Sequence, residues 1–262
     1  MAIILALCLL PGCTSKKNKE ENPETAAPPA IPSGEKLFTL LPASHTGVEF
    51  NNQNIEDTEN NIFLYEYFHN GSGIGAGDFN NDGLQDLYFA SNQNPDKLYL
   101  NKGNLQFTDI TQAAGIKDEG WSTGVTVVDL NNDGWLDIYV CRAGAPHNHP
   151  PALRVNLFYL NTGKPQNGQP VFEEKAADYG IADPSFSTQA VFLDYDLDGD
   201  LDLYVANHPV EWYEKVSYRY EEKIKRYNEY TSAHLFRNNG PNQKFTDVSK
   251  EAADMILLDD NF

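Results

Sequence analysis

A nine-residue acidic loop occurs three times in this chain and constrains its fold more than any other feature. The copies run from Asp78 to Asp86 (DFNNDGLQD), from Asp129 to Asp137 (DLNNDGWLD) and from Asp194 to Asp202 (DYDLDGDLD). Oxygen-bearing side chains stand at positions 1, 3, 5 and 9: Asp78, Asn80, Asp82 and Asp86; Asp129, Asn131, Asp133 and Asp137; Asp194, Asp196, Asp198 and Asp202. Gly occupies position 6, where the chain must turn sharply. Hard cations such as Ca²⁺ take about six to eight oxygens at roughly 2.3–2.6 Å. The side chains together with the position-7 carbonyls of Leu84, Trp135 and Asp200 match that demand, so the pattern predicts three calcium ions.

The flanking segments decide what kind of site this is. Gly73–Gly77, Gly124–Val128 and Gln189–Leu193 precede the loops, and Leu87–Ala90, Ile138–Cys141 and Leu203–Ala206 follow them. Short β-branched and aromatic runs of this kind are strands. An EF-hand needs flanking helices and a Glu at position 12. That position holds Phe89, Val140 and Val205. Each loop therefore joins two strands of a hairpin.

A third strand then ends in an Asn-x-Gly turn (Asn101-Lys102-Gly103, Asn161-Thr162-Gly163, Asn238-Asn239-Gly240), and a fourth begins at Phe107, Phe172 or Phe245. The loops are 51 residues apart (78 to 129) and then 65 apart (129 to 194). Four strands in such a repeat make a β-propeller blade. The expected fold is all-β: a partial propeller of three four-stranded blades, with a lone N-terminal closing strand at Phe38–Leu41 and a helical insert in blade 3. The expected boundaries are 37–70 for the closing strand and lead-in, 71–116, 117–181 and 182–255 for the blades, and 256–262 for the start of a further repeat. Three blades do not close a ring. The chain is thus expected to be the front part of a longer protein, or else a short one that completes its ring by oligomerising.

The N-terminus carries different signals. Residues 2–12 form an apolar run too short to span a bilayer, and residues 1–12 read as a signal peptide. Leu10-Pro11-Gly12-Cys13 resembles a bacterial lipoprotein box, with Cys13 as the lipidated residue. An ordinary cleaved signal is the alternative. Residues 13–36 are polar and Pro-rich, as in a disordered tether. The expected location is the outer membrane or cell surface, with the membrane contacted through the lipid. Cys141 is left alone and reads as a small buried residue.

Net charge is −19, which argues against nucleic acid as a partner, since phosphate binding needs a basic face. Part of that charge is ligand on the calcium reading.

Taken together, the loops and strands resemble the FG-GAP/VCBS repeat family, whose blades resemble those of the integrin α-subunit propeller. Gly73-Ile74-Gly75-Ala76-Gly77-Asp78-Phe79 is close to its strand-to-loop signature. Tyr67-Phe68-His69-Asn70-Gly71 and Gly120–Val125 fit bacterial surface proteins that pair such repeats with an ASPIC/UnbV domain, a group related to cartilage acidic protein. The resemblance covers about residues 37–255 and implies calcium-stabilised scaffolding and extracellular recognition, with no catalytic residues.

Recognition is expected on the connections opposite the calcium loops, because loops on a rigid frame commonly carry binding. The candidate ligand face comprises Trp121, His147 and His149 in the blade 2 connections, and Trp212 and Tyr213 in the blade 3 insert. There Trp212, Val216, Tyr220, Ile224 and Tyr227 recur at helical spacing. The expected activity is non-catalytic recognition of an extracellular glycan or protein. An uptake-complex accessory and the propeller part of a polysaccharide-acting enzyme are the alternatives. Paired carboxylates outside the loops, which the latter requires, are not evident.

Overall fold

The computed structural model describes residues 38–117, 120–209, 230, 232–241 and 243–251. The fold is an all-β partial propeller built from three four-stranded antiparallel sheets. Blade 1 contains β1 (Ile74–Gly77), β2 (Asp86–Phe89), β3 (Lys97–Asn101) and β4 (Phe107–Asp109). Blade 2 contains β5 (Trp121–Val128), β6 (Asp137–Ala143), β7 (Leu157–Asn161) and β8 (Phe172–Glu174). Blade 3 contains β9 (Ser187–Leu193), β10 (Asp202–Asn207), β11 (His234–Arg237) and β12 (Thr246–Asp247). Within each sheet the strands pair in sequence order, as hairpin connections require. Among the described residues, single-turn helices α1 (Ala43–Thr46), α2 (Pro151–Arg154) and α3 (Ala176–Tyr179) accompany them. No helix among the described residues is long and apolar enough to cross a membrane.

The strand period of two explains how the blades stack. Along β6, Ile138 and Val140 enter the cluster shared with blade 1, alongside Tyr88, Leu98 and Leu100. Tyr139 and Cys141 enter the cluster shared with blade 3, alongside Ala190, Leu203 and Val205. Blade 2 is buried on both faces, and every residue of β6 is buried. Cys141 is a free thiol within this core. The matching forward face of blade 3 is more open, with Val191, Leu193 and Tyr204 at 48%, 39% and 41% exposure.

The glycines of the strand signature let inner strands approach each other closely. A Cβ at Gly75 would lie 2.8 Å from Val125 Cγ1, and one at Gly77 would lie 2.9 Å from Leu136 Cδ1. At Gly124 an added Cβ would overlap the Thr188 carbonyl and the Gln189 side chain. Thr126 then donates from Oγ1 to the Ala190 carbonyl at 2.6 Å, across the junction of blades 2 and 3.

The N-terminal closing strand is not formed: residues 38–41 carry no strand. A strand needs a neighbouring ladder, and none of the described strands pairs with this stretch. What does recur is the turn after it. Gly47, Gly115 and Gly180 share the left-handed conformation at φ 74°, 83° and 79°. Each abuts the carbonyl of the Phe that opens a fourth strand, where an added Cβ would lie 2.5 Å from Phe107 O, 2.7 Å from Phe172 O and 3.1 Å from Phe245 O. The segment ending at Gly47 thus occupies on blade 1 the place that the tail of blade 1 occupies on blade 2. Residues that follow dock through side chains. Phe50 stacks on Phe89 with centroids 4.8 Å apart, and Asn52 Oδ1 accepts from Ser91 Oγ and Asn92 N at 3.0 Å. The expected blade 3 helix, residues 212–227, lies outside the described residues, as do residues 1–36.

Two outcomes follow from this packing. Gly124→Val pushes β5 off β9 and is expected to cost about 1–3 kcal/mol, a fall in Tm of roughly 2–12 °C by thermal denaturation. Asp96 is a second case. Its carboxylate accepts from Tyr88 Oη and Ser91 N at 2.7 Å, and burial pushes its pKa up to about 6. Asn156 holds the equivalent place in blade 2, accepting from Arg142 N at 2.7 Å and donating to Tyr139 Oη at 3.2 Å. A raised folded pKa penalises the charged form, so wild-type Asp96 is unfavourable above about pH 6 and costs nothing below the unfolded value. Asp96→Asn should therefore raise stability at pH 8 by on the order of 1–3 kcal/mol, read as a higher Tm, and the gain should shrink as pH falls from 6 towards 4.

Candidate functional site

The acidic loops share one internal architecture. Position 1 accepts from the amides of positions 5 and 6: Asp82 N and Gly83 N reach Asp78 at 3.0 and 2.7 Å, Asp133 N and Gly134 N reach Asp129 at 3.0 and 2.9 Å, and Asp198 N and Gly199 N reach Asp194 at 3.1 Å each. Position 5 accepts from the amide of position 7: Leu84 N, Trp135 N and Asp200 N each donate at 2.9 Å to Asp82, Asp133 and Asp198. Positions 4 and 6 are both left-handed, with Asn81, Asn132 and Leu197 at φ 57°, 57° and 61° followed by Gly83, Gly134 and Gly199. This pair of αL residues turns the chain back on itself.

Position 9 differs from the others because it is buried. Asp86, Asp137 and Asp202 are at most 1% exposed. One oxygen of each accepts from the amide of position 2: Phe79 N at 3.1 Å, Leu130 N at 3.1 Å and Tyr195 N at 3.0 Å. The other accepts at 2.8 Å from the amide of the turn Asn that ends the third strand, Asn101, Asn161 or Asn238. That Asn closes the clasp by donating from Nδ2 to the position-8 carbonyl, at 2.8 Å to Gln85, 3.2 Å to Leu136 and 3.1 Å to Leu201. Sequence reading placed these Asn residues in turns and missed the clasp, although their recurrence in an Asn-x-Gly turn after every third strand was its signal.

Electrostatics mark the loops as sites under charge stress. Burial pushes Asp86 up to about 6 and Asp137 up to about 7, with Asp82 and Asp78, or Asp133 and Asp129, adding repulsion. Asp202 is raised for the same reasons. In the third loop one oxygen from each of Asp194, Asp196 and Asp202 lies within 4.8 Å of the others. In the first, Asn80 Nδ2 donates to Asp82 and to the Gly168 carbonyl, both at 2.9 Å. Its Oδ1 is buried without a hydrogen-bond partner. Asn81 also crosses between loops, donating to the Gly134 carbonyl at 3.1 Å.

The opposite ends of the inner strands form a cleft of about 220 Å³. Ser72 stands before β1, Thr123 and Thr188 near the starts of β5 and β9, and His208 just beyond β10. Tyr65, Tyr67 and Trp121 supply aromatic walls. Tyr65 and Trp121 meet edge-on at 5.7 Å, and Tyr67 lies 4.0 Å from the His208 ring. His208 accepts or donates at Nε2 to Tyr65 Oη at 3.1 Å, and burial pulls its pKa down to about 4. It is a neutral imidazole at physiological pH.

The expected ligand face is divided by this geometry. Trp121 is 3% exposed and belongs to the cleft wall. His147 is exposed and its Nε2 meets the Glu59 carbonyl at 2.7 Å. His149 packs edge-on to Trp121 at 5.7 Å and its Nδ1 meets Asn148 Oδ1 at 2.6 Å. The two histidines are thus engaged separately in docking the blade 2 connection. Trp212 and Tyr213, with Cys13, lie outside the described residues. Tyr65, Tyr67, Thr188 and His208 were not anticipated as a group, because only folding brings positions 65 and 208 together.

Residues 78–140 match the FG-GAP-like repeat model. Cartilage acidic protein 1 of Xenopus tropicalis is 30% identical over 139 residues, covering 52% of this chain and 20% of the relative. The Mus musculus protein is 27% identical over 143 residues, with 52% and 20% covered, and the Homo sapiens protein is 27% identical over 143 residues, with 52% and 19% covered. The chain spans about a fifth of the length of these curated relatives. The chain is thus similar to FG-GAP-like repeats over residues 78–140 and to part of the cartilage acidic proteins, and its three four-stranded blades agree with that likeness.

Proposed function

We propose that this chain is a non-catalytic, calcium-binding recognition scaffold, held at the bacterial cell surface or outer membrane through lipid on Cys13. The observation that carries the calcium reading is the threefold recurrence of one loop geometry around a buried acid. In the third loop the carboxylates converging within 4.8 Å repel one another, at about 1 kcal/mol per pair in water and about 4 at surface dielectric for a 4 Å separation. A hard cation turns that repulsion into attraction. The donors would be the side chains at positions 1, 3, 5 and 9 with the position-7 carbonyl, and the unpartnered Oδ1 of Asn80 suits a ligand at position 3. Bound calcium supplies the positive charge that the burial of Asp86, Asp137 and Asp202 otherwise lacks.

The recognition reading is supported by the repeat family and by the position of the cleft at the strand ends remote from the loops. The surface location rests on the lipobox-like Leu10–Cys13. Incorporation of labelled fatty acid in wild type, abolished by Cys13→Ser, tests it.

Calcium present at 100 times Kd should stabilise the folded chain by about 2.7 kcal/mol per site. Differential scanning calorimetry should show Tm falling on chelation, and equilibrium dialysis should find three ions per chain. An unchanged Tm with chelator would sink this reading. Asp133→Ala should lower the stoichiometry by one. Leu197 holds the left-handed position that Asn81 and Asn132 fill in the other loops, and it is 85% exposed. Asn tolerates that conformation better than Leu. Leu197→Asn should therefore raise stability by roughly 0.5–1 kcal/mol, read as a higher midpoint in urea with an unaltered slope.

A further inference from the structure

We infer that the cleft opposite the loops binds a single neutral sugar ring. This rests on the recognition reading above and assigns it a place and a ligand class. The lining alternates rings with uncharged polar groups. Tyr67 is half-buried and offers an aromatic surface for the C–H face of a pyranose, while Tyr65 and Trp121 are nearly fully buried behind it. Ser72, Thr123 and Thr188 have already donated their hydroxyl protons to the carbonyls of Ala90, Ser187 and Ala206, at 2.6, 2.7 and 2.9 Å. What these oxygens retain is acceptor capacity, reduced at Ser72 Oγ by the bond it accepts from Asn52 Nδ2 at 3.0 Å, and this suits the hydroxyl donors of a sugar. The exposed amide of Asn70 adds both a donor and an acceptor at the rim.

Charge narrows the class further. Among the described residues the lining contains no Asp, Glu, Lys or Arg, and His208 is neutral because burial disfavours its cation. An anion such as a uronate or phosphate finds no counter-charge and would lose hydration without compensation. A quaternary ammonium would find rings but no carboxylate, and the ring of hydroxyl acceptors would stay unused. At about 220 Å³ the cleft admits one sugar ring and is too small for a folded peptide element. Small clefts of this kind, walled by aromatics with a few placed polar groups, bind by shape plus orientation.

The test uses the full chain in saturating calcium, with methyl glycosides of glucose, galactose and mannose as probes and methyl glucuronide and choline as controls. Saturation-transfer NMR and calorimetric titration should find one neutral glycoside binding with Kd on the order of 1 mM, and no binding of either control. Tyr67→Ala should weaken that binding about tenfold, and Asn70→Ala several-fold, with calcium stoichiometry unchanged in both. Should Tyr67→Ala fail to fold, Asn70→Ala carries the test, because its side chain is at the exposed rim. The inference is overturned if none of the neutral glycosides binds, if choline or the glucuronide binds instead, or if both variants bind as wild type. A chain that binds calcium and a protein ligand but no glycoside keeps the recognition reading and loses this one. Glycoside binding without calcium binding does the reverse for the metal reading.

Discussion

Each blade is organised around one carboxylate that has almost no contact with water. Asp86, Asp137 and Asp202 sit at the end of their loops, yet each ties three separate stretches of backbone together. One oxygen holds the start of the loop and the other holds the turn after the third strand. Hydrogen bonds to an ionised group contribute about 1.5–3 kcal/mol each. Burying that charge costs several kcal/mol before any partner is counted. The raised values of Asp86 and Asp137 record that the two amides do not fully offset this cost. The clasp is therefore strong in geometry and strained in charge, and the neighbouring loop acids add to the strain.

The second constraint is the distance between blades. Strand side chains alternate, so a middle blade must be apolar on both faces, and β6 is. Where the inner strands converge there is no space even for a methyl group, and glycine stands at those points. Loop geometry reinforces the same stacking, since Asn81 and Asn80 of the first loop reach carbonyls of blade 2. Blade shape and blade spacing are thus set by the same segments.

A division of labour follows from strand direction. Every inner strand runs from the cleft end towards a loop, so the two ends of the sheets carry different chemistry. The loop end is acidic and backbone-rich. The cleft at the other end is aromatic and hydroxylic, and its described lining residues carry no charge. Rigid sheets between them hold Ser72, Thr123 and Thr188, from three blades, around one space.

The sequence by itself determined the three loops, their hairpin context and four strands per blade, because those depend on local spacing: position 6 needs Gly, and a strand alternates with period two. The turns at Gly47, Gly115 and Gly180 recur in space even though residues 38–41 form no strand. Pattern could not supply a partner ladder for that stretch. Tertiary structure alone decided three things. It showed that Asn101, Asn161 and Asn238 are the far halves of the clasps, across gaps of 15, 24 and 36 residues from their acids. It separated His147 from His149. It also joined Tyr65 to His208, 143 positions apart, because contacts between blades depend on how sheets stack and not on any spacing within the chain.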